Sequence, residues 1–166
     1  MKNVALDDIS IRTTLRAGDL GYITYLHGSL YKAEYNFGIE FEIYVAKTLA
    51  EFYEQYDVET NRFWICEHQS KIMGCIALMN RGDAAQLRYF LILPEYRGIG
   101  LGRKLMELFM DFLKKCKYKK SFLLTTDELN AAANLYTQYG YKLASQFTSA
   151  AFGKSLVEQR YEWTAE

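Results

Sequence analysis

The chain has 166 residues, of which 50% are hydrophobic, and its 20 basic residues equal its 20 acidic ones. This length suffices for a single domain, residues 1–166, with a sizeable hydrophobic core. The zero formal charge argues against a dedicated nucleic-acid binder, which usually carries a basic excess. No N-terminal signal segment is visible and no apolar run is long enough to span a bilayer, so we expect a cytoplasmic protein without a membrane partner.

The cysteines and histidines are few and widely spaced. Cys66, Cys75 and Cys116 form no CxxC pair, which is typical of small core residues in a reducing compartment. His27 and His68 are too isolated to indicate a metal site. We therefore expect free thiols and no metal.

Hydrophobic periodicity predicts strands and helices along the whole chain. In order, the predicted elements are a strand around 8–15, helices at 19–35 and 40–56, strands at 63–68, 71–79 and 87–93, a helix at 101–116, a strand at 121–126, a helix at 130–139, and strands at 141–152 and 157–164. Gln69 and Ser70 are the predicted turn of a hairpin. Asp19 and Asn130 are predicted N-caps, and Gly140 is predicted to end the helix that Asn130 begins.

Residues 87–103 combine a strand, a turn and a helix start. Pro94 ends the strand because proline has no N–H to donate to a sheet. Gly98, Gly100 and Gly102 follow at every second position, just before a run with helical spacing. Glycines let backbone N–H groups approach a ligand, and a helix N-terminus adds partial positive charge. The pattern is typical of a phosphate or pyrophosphate site, and a tight strand-to-helix connection without a ligand is the alternative.

Two common phosphate motifs are excluded by inspection. A nucleoside-triphosphate loop ends in Gly-Lys-Ser or Gly-Lys-Thr, whereas this chain has Gly102-Arg103-Lys104. The dinucleotide fingerprint is GxGxxG after the first strand of a βαβ unit. Here the order is GxGxG, after several strands that are predicted to be antiparallel.

Two spaced motifs carry a family resemblance. The first is Arg97-Gly98-Ile99-Gly100-Leu101-Gly102, and the second is the stretch 130–141 with its Leu-Tyr-x-x-x-Gly-Tyr element. Together they resemble the GNAT superfamily of acyl-CoA-dependent N-acetyltransferases, over roughly residues 9–163. The resemblance implies a single-domain α/β fold with a mixed, largely antiparallel sheet that is parted near its middle. It also implies acetyl transfer from acetyl-CoA to a primary amine of a small molecule or protein.

The resemblance implies roles for individual residues. The backbone of Phe90, Leu91 and Ile92 would splay from the next strand and bind the pantetheine and the thioester oxygen, as an oxyanion hole does. Main-chain N–H groups of the glycine loop would hold the diphosphate, and the basic side chains of the loop would add positive charge. The implied cofactor-binding set is Phe90, Leu91, Ile92, Arg97, Gly98, Ile99, Gly100, Leu101, Gly102, Arg103, Asn130 and Asn134.

Tyr136 matches the general acid of the family, which protonates the departing thiolate. The residues alone are compatible with a core tyrosine as well, because Tyr136 shares a helix face with Ala132, Ala133 and Tyr139. Leu129 stands where many relatives have a cofactor-binding asparagine.

The general base stays unassigned. Some relatives carry a catalytic glutamate on the preceding strand, where this chain has the apolar residues 122–124. The carboxylates that could assist, directly or through water, are Glu34, Glu42, Asp83, Asp127 and Glu128.

A second resemblance concerns the segments 25–31, 34–35, 41–42, 86–90 and 157–161. They are similar to the acetyltransferase half of bacterial proteins that fuse a MarR-type regulator to a GNAT domain. The chain has no room for the regulator's winged helix, so neither DNA binding nor a transcriptional role is expected. A non-catalytic acyl-CoA-binding or sensing module is the alternative to an enzyme, and a homodimer is compatible with the sequence.

Overall fold

A computed structural model describes residues 4–166 of the chain. In that range seven strands form one sheet, and four α-helices cover its two faces. The strands are β1 (Ser10–Arg12), β2 (Arg62–His68), β3 (Lys71–Asn80), β4 (Ala85–Ile92), β5 (Lys120–Thr126), β6 (Lys142–Ser149) and β7 (Leu156–Thr164). The helices are α1 (Asp19–Tyr35), α2 (Ile39–Glu54), α3 (Leu101–Lys115) and α4 (Asn130–Gln138). This architecture confirms the predicted mixed α/β fold.

The sheet has the strand order β1-β2-β3-β4-β5-β7-β6. Neighbouring strands are antiparallel except β4 and β5, which run parallel and are connected through α3. Strand β7 returns to lie between β5 and β6. The predicted hairpin of β2 and β3 is confirmed, and its turn residues Gln69 and Ser70 both have positive φ, at 51° and 63°. Such turns match the right-handed twist of the strands.

The predicted first strand is too long. Strand β1 covers Ser10–Arg12 instead of residues 8–15, because these three residues are the ones that pair with β2. After Arg12 the chain turns toward α1, and the guanidinium of Arg12 donates to both carboxylate oxygens of Asp19 at 2.8 Å.

Both predicted N-caps are displaced by one residue. Helix α1 has Gly18 as its N-cap, while the carboxylate of Asp19, its first residue, is engaged by Arg12. Helix α4 has Leu129 as its N-cap and no capping side chain. The predicted end of α4 is confirmed, because Gly140 follows the last turn with a φ of +90°.

Hydrophobic side chains cover both faces of the sheet, so the described residues form two cores. Along β2, Trp64 and Cys66 join the core under α3 and α4, whereas Phe63 and Ile65 join the core under α1 and α2. Successive strand residues point to opposite faces, and here both faces are covered. This explains the near-continuous apolar run 72–79, which is buried throughout.

The predicted state of the cysteines holds in the structure. Cys66 and Cys75 are buried, Cys116 is half-buried, and all three thiols are free. In the part of the chain from residue 4 onward, no helix is long and apolar enough to cross a membrane. Over the same residues, no group of three His, Cys, Asp or Glu side chains lies close enough together to hold a metal ion.

Candidate active site

The sheet opens between β4 and β5. Parallel pairing joins residues 85–87 to residues 121–123 and ends there. Beyond this point β4 stays with β3 as far as Ile92, and β5 stays with β7 as far as Thr126. The result is a gap, bordered on one side by the backbone of β4.

A β-bulge in β4 lies at the start of this gap. The register between β3 and β4 shifts between Cys75 and Ala77, where Tyr89 and Phe90 of β4 oppose a single residue of β3. Tyr89 has a φ of +53°, which is uncommon for a residue other than glycine. Its carbonyl accepts a hydrogen bond from the Cys75 thiol at 3.0 Å. Because a bulge bends its strand and increases the twist, it directs the end of β4 away from β5.

The glycine loop connects the end of β4 to α3. Gly98 and Gly100 have φ values of +80° and +89°, where side chains with a Cβ are disfavoured. Helix α3 begins at Leu101, and within residues 4–166 no side chain caps its N-terminus. The N–H groups of its first turn therefore stay available to a ligand. A Cβ at Gly102 would lie 3.4 Å from Cδ2 of Leu135, so α3 and α4 are in contact at this point.

A groove of about 860 Å³ is lined by the end of β4 at the gap, by the glycine loop and by the start of α4. We call it the loop groove. The predicted cofactor-binding residues that line it are Phe90, Leu91, Ile92, Arg97, Gly98, Gly100, Gly102, Arg103, Asn130 and Asn134. Ile99 and Leu101 are predicted to bind through their main-chain N–H groups, and their side chains lie outside the groove. Ile99 packs partly buried against the core, and Leu101 is only 1% exposed within it.

The side chain of Arg97 is not a free cation in the loop groove. Its Nη1 and Nη2 donate to the two carboxylate oxygens of Glu34 at 2.7 and 3.0 Å, and its Nε donates to the carbonyl of Ile92 at 3.0 Å. These bonds tie α1 to the glycine loop. They also offset the positive charge of Arg97, so Arg103 is the remaining unpaired cation among the described residues that line the groove.

A second cavity, of about 340 Å³, lies between the open part of the sheet and helices α1 and α2; we call it the inner chamber. Its aromatic wall comes from Tyr31, Phe37, Phe41, Tyr44, Tyr89, Phe90, Tyr136 and Phe152. Tyr31, Phe90 and Leu129 line both cavities. The loop groove and the inner chamber therefore meet at the gap between β4 and β5.

Tyr136 lines the inner chamber rather than the loop groove. It is 5% exposed, and its ring centroid lies 6.1 Å from that of Phe90 and 6.3 Å from that of Tyr141. Burial raises the pKa of the Tyr136 phenol well above its ordinary value of 10.0. The phenol therefore carries its proton at neutral pH. Tyr136 therefore packs as a core tyrosine does and also lines a cavity.

His27 is a chamber residue that the sequence analysis does not assign to the site. It is 3% exposed, its Nδ1 is 2.8 Å from the carbonyl of Ile23, and its buried Nε2 has no hydrogen-bond partner in the described chain. Because Nδ1 must donate to that carbonyl, Nε2 is the acceptor of a neutral ring. Burial lowers the pKa of His27 from 6.5 to about 4. The sequence feature that could have indicated His27 is its position on the apolar face of a predicted helix.

The five carboxylates considered as general bases either form ion pairs or lie outside the two cavities. Glu34 and Glu128 line the loop groove, but Glu34 pairs with Arg97 and Glu128 pairs with Lys154 at 2.7 Å. The other three, Glu42, Asp83 and Asp127, line neither of the two cavities.

Two charged side chains that line the inner chamber are also absent from the site residues predicted from the sequence. They are Arg88 of β4 and Glu158 of β7, on strands that flank β5. Arg88 is the charged residue of a strand whose other members are uncharged, and that interruption is the signal by which the sequence could have indicated it. No comparable signal marks Glu158, because charged residues are frequent in β7.

Comparison with known sequences identifies a family. The sequence model of the acetyltransferase (GNAT) domain matches residues 59–143. The uncharacterized N-acetyltransferase YjgM of Escherichia coli K12 is 28% identical over 98 residues, which are 57% of this chain and 59% of YjgM. Probable N-acetyltransferase 14 of Xenopus tropicalis is 28% identical over 109 residues, 64% of this chain and 53% of that protein. The chain thus matches little more than half the length of these relatives.

Solved structures share the fold. A GNAT-family acetyltransferase from Staphylococcus aureus Mu50 superposes with a TM-score of 0.75 at 18% identity, covering 95% of this chain and 99% of that one. YncA of Salmonella typhimurium, a putative acetyltransferase solved with acetyl-CoA, gives 0.73 at 17% identity, with 95% and 94% covered. Spermidine N-acetyltransferase of Vibrio cholerae, solved with CoA and spermine, gives 0.69 at 22% identity, with 95% and 96% covered. Since the family model covers half of the chain and the fold agrees, the chain belongs to the GNAT acetyltransferase family.

Proposed function

We propose that this chain is an N-acetyltransferase that transfers the acetyl group of acetyl-CoA to a primary amine. The observation that carries the proposal is the meeting of two cavities at the gap between β4 and β5. One cavity contains the glycine loop, and the other contains a protonated tyrosine. An acyl donor and an amine can thus reach the same point from opposite sides.

The loop groove has the chemistry that a CoA diphosphate requires. The uncapped N-terminus of α3 and the positive-φ glycines Gly98 and Gly100 present main-chain N–H groups. Bound there, acetyl-CoA would supply the activated thioester. Phe90, Leu91 and Ile92 lie where β4 no longer pairs with β5, so main-chain groups of this stretch can bind the pantetheine arm and its N–H groups can donate to the developing oxyanion.

Tyr136 is the proposed general acid. The amine nitrogen bonds to the acetyl carbonyl carbon, the carbon–sulfur bond breaks, and the electron pair of that bond leaves with the sulfur. The phenol of Tyr136, which is protonated at neutral pH, gives its proton to the departing thiolate and regains one from the amine through solvent. The products are an N-acetyl amine and CoA with a free thiol.

Two finer statements belong to the same proposal. Residues 1–166 act as one domain, and the segments 25–31, 86–90 and 157–161 make the chain a relative of the acetyltransferase half of MarR–GNAT fusion proteins. Several of these segments contribute to the inner chamber, through residues such as His27, Tyr31, Arg88 and Glu158.

The test separates an enzyme from a CoA-binding module. Release of the CoA thiol from acetyl-CoA is followed with a thiol reagent in the presence of a panel of primary amines, and acetyl-CoA binding is measured by calorimetry. We expect binding together with amine-dependent thiol release, and a gain of one acetyl group on the amine by mass spectrometry. Binding without release for every amine would favour the sensing alternative.

A further inference from the structure

Arg88 is a buried cation in the wall of the inner chamber. It is 8% exposed, and one of its Nη atoms donates to the hydroxyl of Tyr44 at 2.9 Å. Its guanidinium carbon lies 5.4 Å from the ring centroid of Tyr44 and 4.8 Å from that of Tyr89. None of the ion pairs in residues 4–166 involves Arg88.

Such a group is costly to bury without a counter-charge. Arginines in protein interiors are normally paired with a carboxylate, because desolvation of an unpaired charge is expensive. Two aromatic rings and one hydroxyl compensate only part of this cost. A guanidinium has five N–H donors, of which the Tyr44 hydroxyl takes one. The others are available to an anion that enters the inner chamber.

The remaining polar groups of the chamber suit the other end of such a ligand. Glu158 supplies the single carboxylate among the lining residues of the described chain, and it too forms no ion pair there. The unpartnered Nε2 of His27 is a neutral acceptor for an N–H group. The rest of the wall is largely aromatic or aliphatic. A volume of about 340 Å³ is at the lower end of the range for small-molecule pockets.

We propose that the inner chamber binds a small amine that also carries a carboxylate, such as an amino acid with an apolar side chain, and that Arg88 holds this carboxylate. The inference rests on the proposed function, since it names the class of the acetyl acceptor. The planar fork of Arg88 matches a carboxylate with two parallel hydrogen bonds. The apolar side chain contacts rings such as Tyr31, Phe41 and Phe152.

Matched acceptor sets test the role of the carboxylate in the native protein. Phenylalanine, leucine and methionine are each compared with the corresponding amide and the decarboxylated amine in the thiol-release assay. We expect kcat/KM for an amino acid to exceed that of its amide and its decarboxylated amine by about 10- to 100-fold, as a charge-assisted hydrogen-bonded pair provides. Equal use of the three compounds would overturn the inference, and so would better use of an aminophosphonate analogue.

Variants test the assignment to Arg88. In Arg88→Met the preference for the carboxylate should fall to less than about twofold, while acetyl-CoA binding stays as in the wild type. Arg88→Lys, which keeps the charge but loses the fork, should show an intermediate preference and serves if the methionine variant does not fold. Arg16→Met, at an exposed arginine outside both cavities, is the control and should retain the full preference. A full preference in Arg88→Met would refute the assignment.

Direct binding separates this inference from the proposed function. Calorimetry measures phenylalanine and its amide on the protein saturated with CoA, where no acetyl group is available. Arg88-dependent binding of the acid without any turnover would contradict the proposed function and support the carboxylate site. Turnover of amines without a carboxylate preference would support the proposed function and contradict the site.

Discussion

Tyr136 has the surroundings expected of a core tyrosine and also those expected of a general acid. Its ring packs against Phe90 and Tyr141, and it is 5% exposed, as a core tyrosine would be. The same burial keeps its phenol protonated and places it in the wall of the inner chamber. A protonated hydroxyl that lines a cavity can serve as a general acid there.

Replacing Tyr136 by phenylalanine should reduce turnover without affecting the acyl donor. We expect kcat to fall by about 10²- to 10⁴-fold, the usual contribution of general acid catalysis. The dissociation constant for acetyl-CoA should stay within about twofold, because Tyr136 does not line the loop groove. Steady-state kinetics and calorimetry measure the two quantities.

Tyr139→Phe is the matched control for this prediction. Tyr139 lies one residue beyond α4, and its hydroxyl donates to the carbonyl of Arg103 at 3.2 Å, outside the inner chamber. Its loss should leave kcat nearly unchanged. Wild-type turnover in Tyr136→Phe would remove Tyr136 from the mechanism.

Among the elements, the glycine loop and α3 depend most on backbone conformation. Gly100 has a φ of +89° and stands directly before the uncapped start of α3. A Cβ there would meet little, since its one neighbour within 4 Å is a Leu6 methyl at 3.9 Å. The requirement for glycine therefore comes from the backbone conformation and from approach of a ligand, rather than from crowding within the protein.

Gly100→Val should abolish binding of acetyl-CoA. A β-branched residue disfavours this left-handed conformation, by roughly 1–2 kcal/mol or more. Gly100 also lines the loop groove, where the diphosphate is expected, so a side chain there reduces the room for it. Calorimetry with acetyl-CoA measures the effect.

Gly82→Val controls for the strain alone. Gly82 has a similar φ of +85°, and a Cβ added there would meet no atom within 4 Å. It lies in the turn before β4, away from both cavities. The stability of this variant should fall by a similar amount, with normal binding of acetyl-CoA. If Gly100→Val bound acetyl-CoA normally, the glycine loop would not be the diphosphate site.

At the scale of the whole molecule, the buried His27 couples stability to pH. Its pKa is about 4 in the folded protein and 6.5 in an exposed histidine. Between these values the unfolded chain binds a proton that the folded chain does not, so the free energy of unfolding falls as the pH falls. The loss reaches roughly 3 kcal/mol near the lower pKa, at about 1.4 kcal/mol per pH unit, and it is absent well above pH 6.5.

Urea unfolding at a series of pH values from 7 to about 4.5 measures this dependence. His27→Gln should flatten the decline over this range, whereas His68→Gln, at the half-buried second histidine, should keep the wild-type decline. An unchanged slope in His27→Gln would show that other groups cause the acid sensitivity.

The outline of the fold follows from local pattern, and its boundaries follow from tertiary contacts. Period-2 and period-3.6 patterns identify every α-helix and strand of the described chain in the right order. The errors lie at ends such as β1, which stops at Arg12 because the chain leaves β2 there and turns toward α1. The N-cap of α1 is Gly18, and the carboxylate of Asp19 binds Arg12 of β1 instead of capping the helix.

The sequence predicts the glycine loop, its position between a strand and a helix, and the family resemblance. All three depend on residues that are neighbours in the chain. The opening between β4 and β5 does not, because it depends on a bulge at Tyr89 and on β7 pairing with β5 from the far end of the chain. The same holds for the pairing of Arg97 with Glu34 and for the buried, unpaired state of Arg88. Whether an ionisable side chain is buried, and whether it has a partner of opposite charge, depends on the residues that pack around it. Those residues come from distant parts of the sequence and are set only by the tertiary structure.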